Sequence, residues 1–186
     1  MTLTDLLVFL VSIMIGVAST IVYVLIIWRL DRYEREPLRL LVVAFLWGAI
    51  PAVLASALIE VAFDIPLEAM IADYADVVSI SFVAPPVEEG FKALALLAIF
   101  WLARHEFDDA LDGIIYGSLV GFGFAMTENI LYFIGAWSGG GLSRWGQVIA
   151  ARTLAFGLNH AMFTSLTGVG LGLARYSRSL STRWIF

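Results

Sequence analysis

Long apolar runs, separated by short polar segments, dominate the pattern along this chain. Leu6–Trp28 has 23 residues without a charge, and a helix of that length can cross a bilayer core of about 30 Å. We predict five membrane-spanning helices, at residues 5–28, 40–60, 77–103, 113–137 and 147–174. The pattern therefore predicts an all-α fold, a polytopic membrane helix bundle that forms a single membrane domain over residues 1–186.

The segments between the apolar runs are predicted to be loops. They are a charged segment at 29–39, an acidic segment at 60–76, a short acidic segment at 104–112 and a glycine-rich segment at 138–146. Prolines should disturb two of the helices, because proline lacks the amide proton that a helix uses. Pro51 predicts a kink in the second span, and the Pro85–Pro86 pair predicts a kink or a fresh helix start in the third.

The arginines predict which way the bundle faces. If the N-terminus lies outside, the inner loops and the tail hold eight arginines, whereas the outer segments hold only Arg144. Because Lys and Arg are enriched on the cytoplasmic side of membrane proteins, we expect the N-terminus and the acidic segment at 60–76 to lie outside.

The composition is typical of an integral membrane protein. Hydrophobic residues make up 61% of the chain and charged residues 15%, with a mean hydropathy of +0.91, whereas soluble domains are roughly 45–50% apolar and 25% charged. The absence of cysteine excludes disulfides and thiolate metal ligands. No basic block indicates a nucleic-acid partner, and no signal-peptide pattern precedes the first span, which should remain as an anchor in the lipid bilayer.

Glycines recur at every fourth residue in the last two spans. Gly113, Gly117 and Gly121 share one helix face, as do Gly168 and Gly172. Rows of small residues let membrane helices approach closely. We therefore expect these glycines to pack helices together rather than to bind a phosphate.

Three of the spans carry polar residues that are unfavourable in lipid, since a charge at the bilayer centre costs roughly 2.5 to 3.5 kcal/mol. These residues are Glu88, Glu89 and Lys92 in the third span, Glu128 and Asn129 in the fourth, and Arg152, Asn159 and His160 in the fifth. At about 1.5 Å per residue, Glu88, Glu128 and His160 lie roughly 14–20 Å below the outer boundary. Because lipid-facing charges would not share one depth, we expect a common interior site.

The glutamate pair predicts acid–base chemistry. Glu88 and Glu89 lie one turn before Lys92, which is expected to position one carboxylate and keep it ionised. Of two neighbouring carboxyl groups in a low-dielectric site, one tends to stay ionised while the other holds a proton. A general base and a proton donor need that difference. The alternative is a charge-neutralising pair with the second glutamate solvated at a kinked helix start.

The remaining polar groups leave several interpretations open. Glu128 must be protonated, paired with His160, Lys92 or Arg152, or bound to a metal. Asn129 fits a hydrogen bond between helices. Arg152 could reach the interface, pair with Glu128 or face a substrate.

Two mechanisms fit these residues. In one, Glu88 is the base for a water molecule, and His160 or Glu128 transfers protons or stabilises an oxyanion. In the other, Glu88, Glu128 and His160 bind a divalent metal such as zinc, as three protein ligands and a water do at catalytic zinc sites. No HExxH motif supports a metal, so the glutamic mechanism is favoured and no cofactor is assigned.

The motifs at these positions resemble those of PrsW-type intramembrane proteases, a family related to the type II CAAX prenyl endopeptidases. Residues 88–92, which follow the double proline, resemble the EExxK motif of that family. Residues 109–129 resemble its DG…YG…GFxxxEN segment, and Arg152 with His160–Ala161 resembles its third helix. The similarity covers about residues 30–175.

The resemblance implies a function and a site. It implies intramembrane cleavage of a single-pass membrane protein such as an anti-sigma factor, as the site-1 step of signal transduction at a bacterial or archaeal plasma membrane. By resemblance, the catalytic residues are Glu88, Glu89, Glu128 and His160, supported by Lys92, Asn129 and Arg152.

The sequence departs from the family pattern at its C-terminal end, and its buried charges also fit two other functions. Relatives usually continue into a further core helix with a second histidine, whereas this sequence ends at Phe186 and has only His105 and His160; that helix is expected to be absent. The buried Glu, Lys and His groups would also suit a transporter or ion-binding membrane protein. A non-catalytic protein that binds membrane partners is the third alternative.

Overall fold

The computed structural model describes residues 2–30 and 35–176, and every regular element in these ranges is a helix. The α-helices are α1 (Leu3–Leu30), α2 (Leu38–Trp47), α3 (Val53–Ile71), α4 (Ala75–Val78), α5 (Ala84–Leu102), α6 (Ala110–Ala150) and α7 (Asn159–Tyr176). Short π-helical turns at Gly48–Ala52, Ser79–Val83 and Ala151–Ala155 and a 3₁₀ turn at Ala72–Tyr74 lie between them. The predicted all-α fold is confirmed.

Three helical stretches are long and apolar enough to cross a membrane: Leu3–Arg29, Leu38–Leu102 and Ala110–Arg175. The second and third contain 65 and 66 residues, about three times the roughly 20 that one crossing needs. Hydrogen bonds within and between the stretches show that each of these two folds back on itself as a hairpin.

The first hairpin turns between α3 and α4. The backbone leaves helical geometry at Ile71, with φ −141° and ψ 43°, and the chain then returns in the opposite direction. Trp47 Nε1 donates to the carbonyl oxygen of Phe91 at 2.9 Å, and Ser79 Oγ donates to Asp64 Oδ1 at 2.5 Å. These contacts place α2 and α3 alongside the returning limb that contains α5.

The acidic segment at 60–76 is not the predicted loop. Residues 60–71 extend α3, and only the short turn at Ala72–Tyr74 interrupts the helical path. Glu60, Asp64 and Glu68 are four residues apart, so they share one helix face and leave the other faces apolar. The prediction was wrong because acids at this spacing suit an amphipathic helix.

The second hairpin turns at Gly141, within α6. Gly141 has φ 62° and ψ −156°, a backbone conformation essentially restricted to glycine. Before it, Trp137 Nε1 donates to Asp5 Oδ1 at 3.1 Å; after it, Trp145 Nε1 donates to Ser12 Oγ at 3.0 Å, deeper along α1. The predicted glycine-rich loop at 138–146 was therefore wrong, because one glycine makes the turn and its flanks stay helical.

The predicted fifth span at 147–174 is interrupted. After the π-helical turn at Ala151–Ala155, the chain leaves helical geometry at residues 156–158, and α7 begins at Asn159. Gly157 lies in this break, where a Cβ atom would come within 2.7 Å of Tyr23 Oη. Freed backbone groups are tolerated at membrane depth only where they face protein or a water-filled cavity, so the break is expected beside a site.

Both proline signals correspond to local features of the helices. Pro51 lies within the π-helical turn at Gly48–Ala52. Pro85 and Pro86 lie in the first turn of α5, into which the π-helical turn at Ser79–Val83 runs directly with helical backbone at Val83. The helix is therefore irregular next to the double proline but does not start afresh there, and the glutamate pair lies in the first turns of α5.

The helices α6 and α7 pack backbone against backbone. A Cβ atom on Gly113 would lie 2.2 Å from the carbonyl oxygen of Gly168, and one on Gly121 would lie 2.6 Å from Cα of Ala161. Gly172 meets the carbonyl oxygen of Asp109 in the same way, at 2.1 Å. The predicted packing role of the glycines is confirmed, and their contacts define the register of α7 along α6.

An arginine links α5 and α7 at the end of the bundle where both helices finish. Arg175, near the end of α7, donates to the carbonyl oxygen of Arg104 at 2.6 Å and to that of Phe100 near the end of α5.

Three arginines that contribute to the predicted charge asymmetry lie outside the described residues: Arg32, Arg178 and Arg183.

Gly117→Val should destabilise the protein, because a Cβ atom at Gly117 would lie 2.7 Å from Cα of Ser165. Overpacking of this kind typically costs about 1–3 kcal/mol, which thermal unfolding in detergent would record as a lower Tm. Gly135→Val is the matched control in α6, because no atom lies within 4 Å of that Cβ position. Equal stability of the two variants would contradict the close packing of α6 on α7.

Candidate active site

Seven polar side chains from four helical segments form one hydrogen-bonded network. It contains every residue that the sequence predicted to be catalytic or supporting: Glu88, Glu89 and Lys92 on α5, Glu128 and Asn129 on α6, Arg152 in the π-helical turn, and His160 on α7. The similar depths counted along the sequence thus correspond to direct contact.

Lys92 lies at the centre of this network. It is the only lysine of the chain, and its side chain is fully buried. Its Nζ lies 3.1 Å from Glu88 Oε2, 2.8 Å from Glu89 Oε1 and 2.9 Å from His160 Nδ1, and 3.8 Å from the centroid of the Phe124 ring. An ammonium has three protons to donate, so these contacts use all of them, and Lys92 holds both glutamates rather than the one that was expected.

The two glutamates are held differently. Glu89 engages both oxygens, because Oε1 binds Lys92 and Oε2 accepts a hydrogen bond from Thr164 Oγ1 at 2.9 Å. Within the described part of the chain, Glu88 is hydrogen-bonded through Oε2 alone. Glu88 Oε1 is therefore the one carboxylate oxygen of the pair without a hydrogen-bond partner among the described residues.

Glu128 is paired with two partners from the other side of the network. It accepts a hydrogen bond from Arg152 Nη2, and its Oε2 lies 2.8 Å from His160 Nε2. Arg152 Nε donates to Asn129 Oδ1 at 2.6 Å, and its guanidinium lies 4.0 Å from the centroid of the Tyr132 ring. Of the interpretations left open by the sequence, Arg152 pairs with Glu128, and Asn129 bonds across to Arg152.

His160 connects the two halves of the network. A lysine ammonium can only donate hydrogen bonds, so Nδ1 of His160, which faces Lys92, is the acceptor. The ring proton is then on Nε2, which donates to Glu128. The contact with Lys92 therefore selects the tautomer of His160.

Backbone packing places the imidazole at this point. A Cβ atom on Gly121 would lie 2.6 Å from the backbone of both His160 and Ala161, so only a glycine lets α7 start this close to α6. Phe124, one turn further along α6, lies 5.2 Å from the His160 ring between centroids. The same aromatic ring thus contacts both His160 and Lys92.

The lysine of this network is buried, whereas its other charged members are partly exposed. The side chain of Lys92 is 0% exposed, whereas its charged neighbours are 16–29% exposed, which applies to Glu88, Glu89, Glu128, Arg152 and His160. The carboxylates and the imidazole therefore each have some exposed surface, whereas the ammonium has none.

Residues 36–186 match the family model described as PrsW family intramembrane metalloprotease. The chain belongs to the PrsW family. It is similar to curated relatives named Protease PrsW, with 28% identity over 162 residues in Geobacillus kaustophilus, 40% over 103 in Clostridioides difficile and 28% over 175 in Bacillus subtilis. These alignments cover 87%, 55% and 91% of this chain and 66%, 42% and 72% of the respective relatives, so the chain spans part of their length. No solved structure matches the chain significantly.

Membership of the PrsW family confirms the resemblance carried by the motifs. With its long apolar helices, the chain is a multi-pass membrane protein whose named relatives are bacterial.

Sequence reasoning missed two neighbours of this network. Thr164 lies one turn after His160, and that spacing, which puts both on one face of α7, could have identified it as a partner of Glu89. Glu60 was predicted to lie in a loop, whereas α3 carries it to within electrostatic reach of Glu88 and Glu128. The four-residue spacing of the acids was the signal for this placement.

The family description implies a metal, for which Glu88, Glu128 and His160 are the predicted ligands. As arranged, these three do not converge on one point, because Glu128 lies at Nε2 of the imidazole and Glu88 lies on the Nδ1 side. In residues 2–30 and 35–176, no group of three His, Asp or Glu side chains is arranged to hold an ion. This arrangement does not fit a metal, and Lys92 and Arg152 provide the positive charge beside the carboxylates.

Lys92→Met should strongly destabilise the protein, because it leaves two carboxylates in the membrane interior without their cation. Removing one partner of a buried ion pair typically costs about 3–5 kcal/mol, measurable by unfolding of the purified protein in detergent.

The control combines Lys92→Met with Glu88→Gln and Glu89→Gln, which removes charge from both sides of the pair. Most of the lost stability should return in this triple variant. If it is no more stable than the single variant, the loss arises from packing around Lys92 and not from charge.

Proposed function

We propose that this chain is an intramembrane endopeptidase of the glutamic type that hydrolyses a peptide bond of a membrane-anchored protein. The observation that carries this proposal is the asymmetry of the glutamate pair: Glu88 keeps one oxygen available beside a buried ammonium, while both oxygens of Glu89 are engaged. Membership of the PrsW family supports the same activity.

We also propose that the chain crosses the membrane five times with its N-terminus outside. The turns at residues 71–75 and at Gly141 would divide each long helical stretch into two crossings, and α1 would supply the fifth. The turn at Gly141 would then lie on the outer side, because Trp137, just before Gly141, bonds to Asp5 near the start of α1. The turn at residues 71–75 would lie on the same side, because it follows the second crossing.

In the proposed mechanism, Glu88 is the general base. Its Oε1 takes a proton from a water molecule, and the oxygen of that water attacks the carbonyl carbon of the scissile peptide bond. The ammonium of Lys92 keeps Glu88 ionised before the reaction, because a neighbouring positive charge favours the carboxylate form. Glu89 acts indirectly by holding Lys92 and Thr164 in place.

His160 and Arg152 would act on the charge that develops. As the tetrahedral intermediate forms, negative charge gathers on the former carbonyl oxygen, and preorganised donors stabilise it. His160 and Arg152 are the accessible donors, held in orientation by Glu128 and Asn129. The proton on Glu88 then passes to the leaving nitrogen, the C–N bond breaks, and Glu88 becomes a carboxylate again.

The proposed substrate is a single-pass membrane protein such as an anti-sigma factor. The resemblance to PrsW-type proteases implies this class, and cleavage would then be the site-1 step of a signalling pathway. With the network roughly 14–20 Å below the outer boundary, at about 1.5 Å per residue, cleavage would fall within the membrane segment of the substrate.

Glu88→Gln should abolish cleavage of a single-pass anti-sigma factor tagged on both sides of its membrane segment. Loss of a general base typically lowers a rate by about 10²–10⁴-fold, and immunoblots of the two fragments in lipid vesicles would measure it. Glu89→Gln should retain more activity, because Glu89 acts through Lys92. Full cleavage by both the Glu88→Gln and His160→Ala proteins would contradict the assignment.

Inactivity of the wild-type chain would also overturn the assignment, provided that the Bacillus subtilis relative cleaves in the same assay. The buried charges would then be better explained by an ion-binding transporter or by a non-catalytic partner-binding protein.

Cleavage should persist in the presence of a metal chelator, and elemental analysis of the purified protein should find no stoichiometric metal, because Lys92 and Arg152 supply the positive charge. Activity that is lost in chelator and restored by zinc would show that the glutamic type is wrong. Bound metal that disappears in Glu128→Ala would then identify one ligand.

A further inference from the structure

Glu60 is a carboxyl group that the mechanism does not use. Among the residues described, its Oε1 is the only buried side-chain nitrogen or oxygen without a hydrogen-bond partner. A buried polar atom of this kind usually binds an ordered water. The residue lies on α3, which packs against α5, and is within electrostatic reach of Glu88, Glu128 and Lys92.

The position of Glu60 along α3 places it at the same depth as the site. It is 11 residues before the end of α3 at Ile71, which corresponds to a depth of about 16 Å at 1.5 Å per residue. Asp64, one turn nearer the surface on the same face, bonds to Ser79 of the returning limb. Glu60 and Asp64 therefore form a polar stripe between the limbs of the first hairpin.

The other faces of α3 are apolar, in contrast to this polar stripe. The large side chains on its other faces are apolar and exposed to lipid, for example Leu58 at 73% and Ile65 at 67%. A carboxyl group that faced lipid would be unfavourable, and both acids instead face the interior of the hairpin.

We infer that Glu60 and Asp64 line the path by which water enters from the outer surface to Glu88. This inference rests on the proposed hydrolytic function, because hydrolysis consumes one water per peptide bond and the bilayer interior excludes water. The unpartnered Oε1 of Glu60 binds a water molecule that then moves to Glu88. Glu60 is thus a water-positioning residue and takes no part in bond cleavage.

Thiol labelling tests the path without requiring any substrate. The chain has no cysteine, so Glu60→Cys, Asp64→Cys and Leu58→Cys each introduce a single thiol without background. The probe is a positively charged, membrane-impermeant methanethiosulfonate added to the protein in lipid nanodiscs, where both faces are accessible. Because only a hydrated thiol ionises and reacts, Glu60→Cys and Asp64→Cys should be labelled at least about tenfold faster than Leu58→Cys.

Labelling of Glu60→Cys at the rate of Leu58→Cys would overturn the path. Complete labelling of all three variants in denaturant, together with unchanged circular dichroism, shows that a slow reaction reflects burial in lipid and not loss of the thiol or of the fold.

Cleavage kinetics give a second and independent test. Glu60→Leu should lower kcat by on the order of tenfold, the effect of one lost hydrogen bond, with KM unchanged, whereas Glu60→Gln, which keeps an accepting oxygen, should stay close to wild type. Wild-type kcat in Glu60→Leu would contradict the role of Glu60. If the wild-type chain cleaves nothing while Glu60→Cys is labelled rapidly, the proposed protease function fails and the water path stands.

Discussion

The buried ammonium of Lys92 is the interaction on which the rest of the site depends. An unpaired charge is unfavourable in a membrane interior, and here the lysine touches two carboxylates and an imidazole at once. These contacts fix three properties together: the position of Glu88, the position of Glu89 and the tautomer of His160. The side chains of α5 and α7 are therefore coupled through a group that is fully buried.

That coupling is possible because the helices approach one another so closely. Membrane helices gain little from burying apolar side chains, since lipid is equally apolar, and association relies on packing of small residues and on polar contacts. The glycines of α6 supply the first of these and the charged network supplies the second. Gly121 shows how the two are linked, because its missing side chain is what allows His160, in the first turn of α7, to lie within reach of Glu128.

Residues that are rare in lipid were the most predictable from sequence. Few charges are tolerated at membrane depth, so Glu88, Glu128 and His160 could be assigned to one site by counting residues from the ends of their spans. The turn at Gly141 and the break at residues 156–158 were not predictable, because several nearby glycines carry the same local signal and tertiary packing selects among them. The partnership of Thr164 with Glu89 was equally hidden, since hydroxyl groups are common in membrane helices. The acids at 60–76 were predictable in principle from their helical spacing.

The contact between α6 and α7 has a mechanical consequence. Backbone atoms are in direct contact at Gly113 and Gly168, and no flexible side chain lies between them that could change its conformation if the helices shifted. A thicker or thinner bilayer, to which helices commonly respond by tilting, would therefore tilt α7 together with the part of α6 before Gly141 and leave the bond between His160 and Glu128 intact. The deformation would instead be taken up at the boundary with α5, so the length of the surrounding lipid tails would act on the contact between Lys92 and His160.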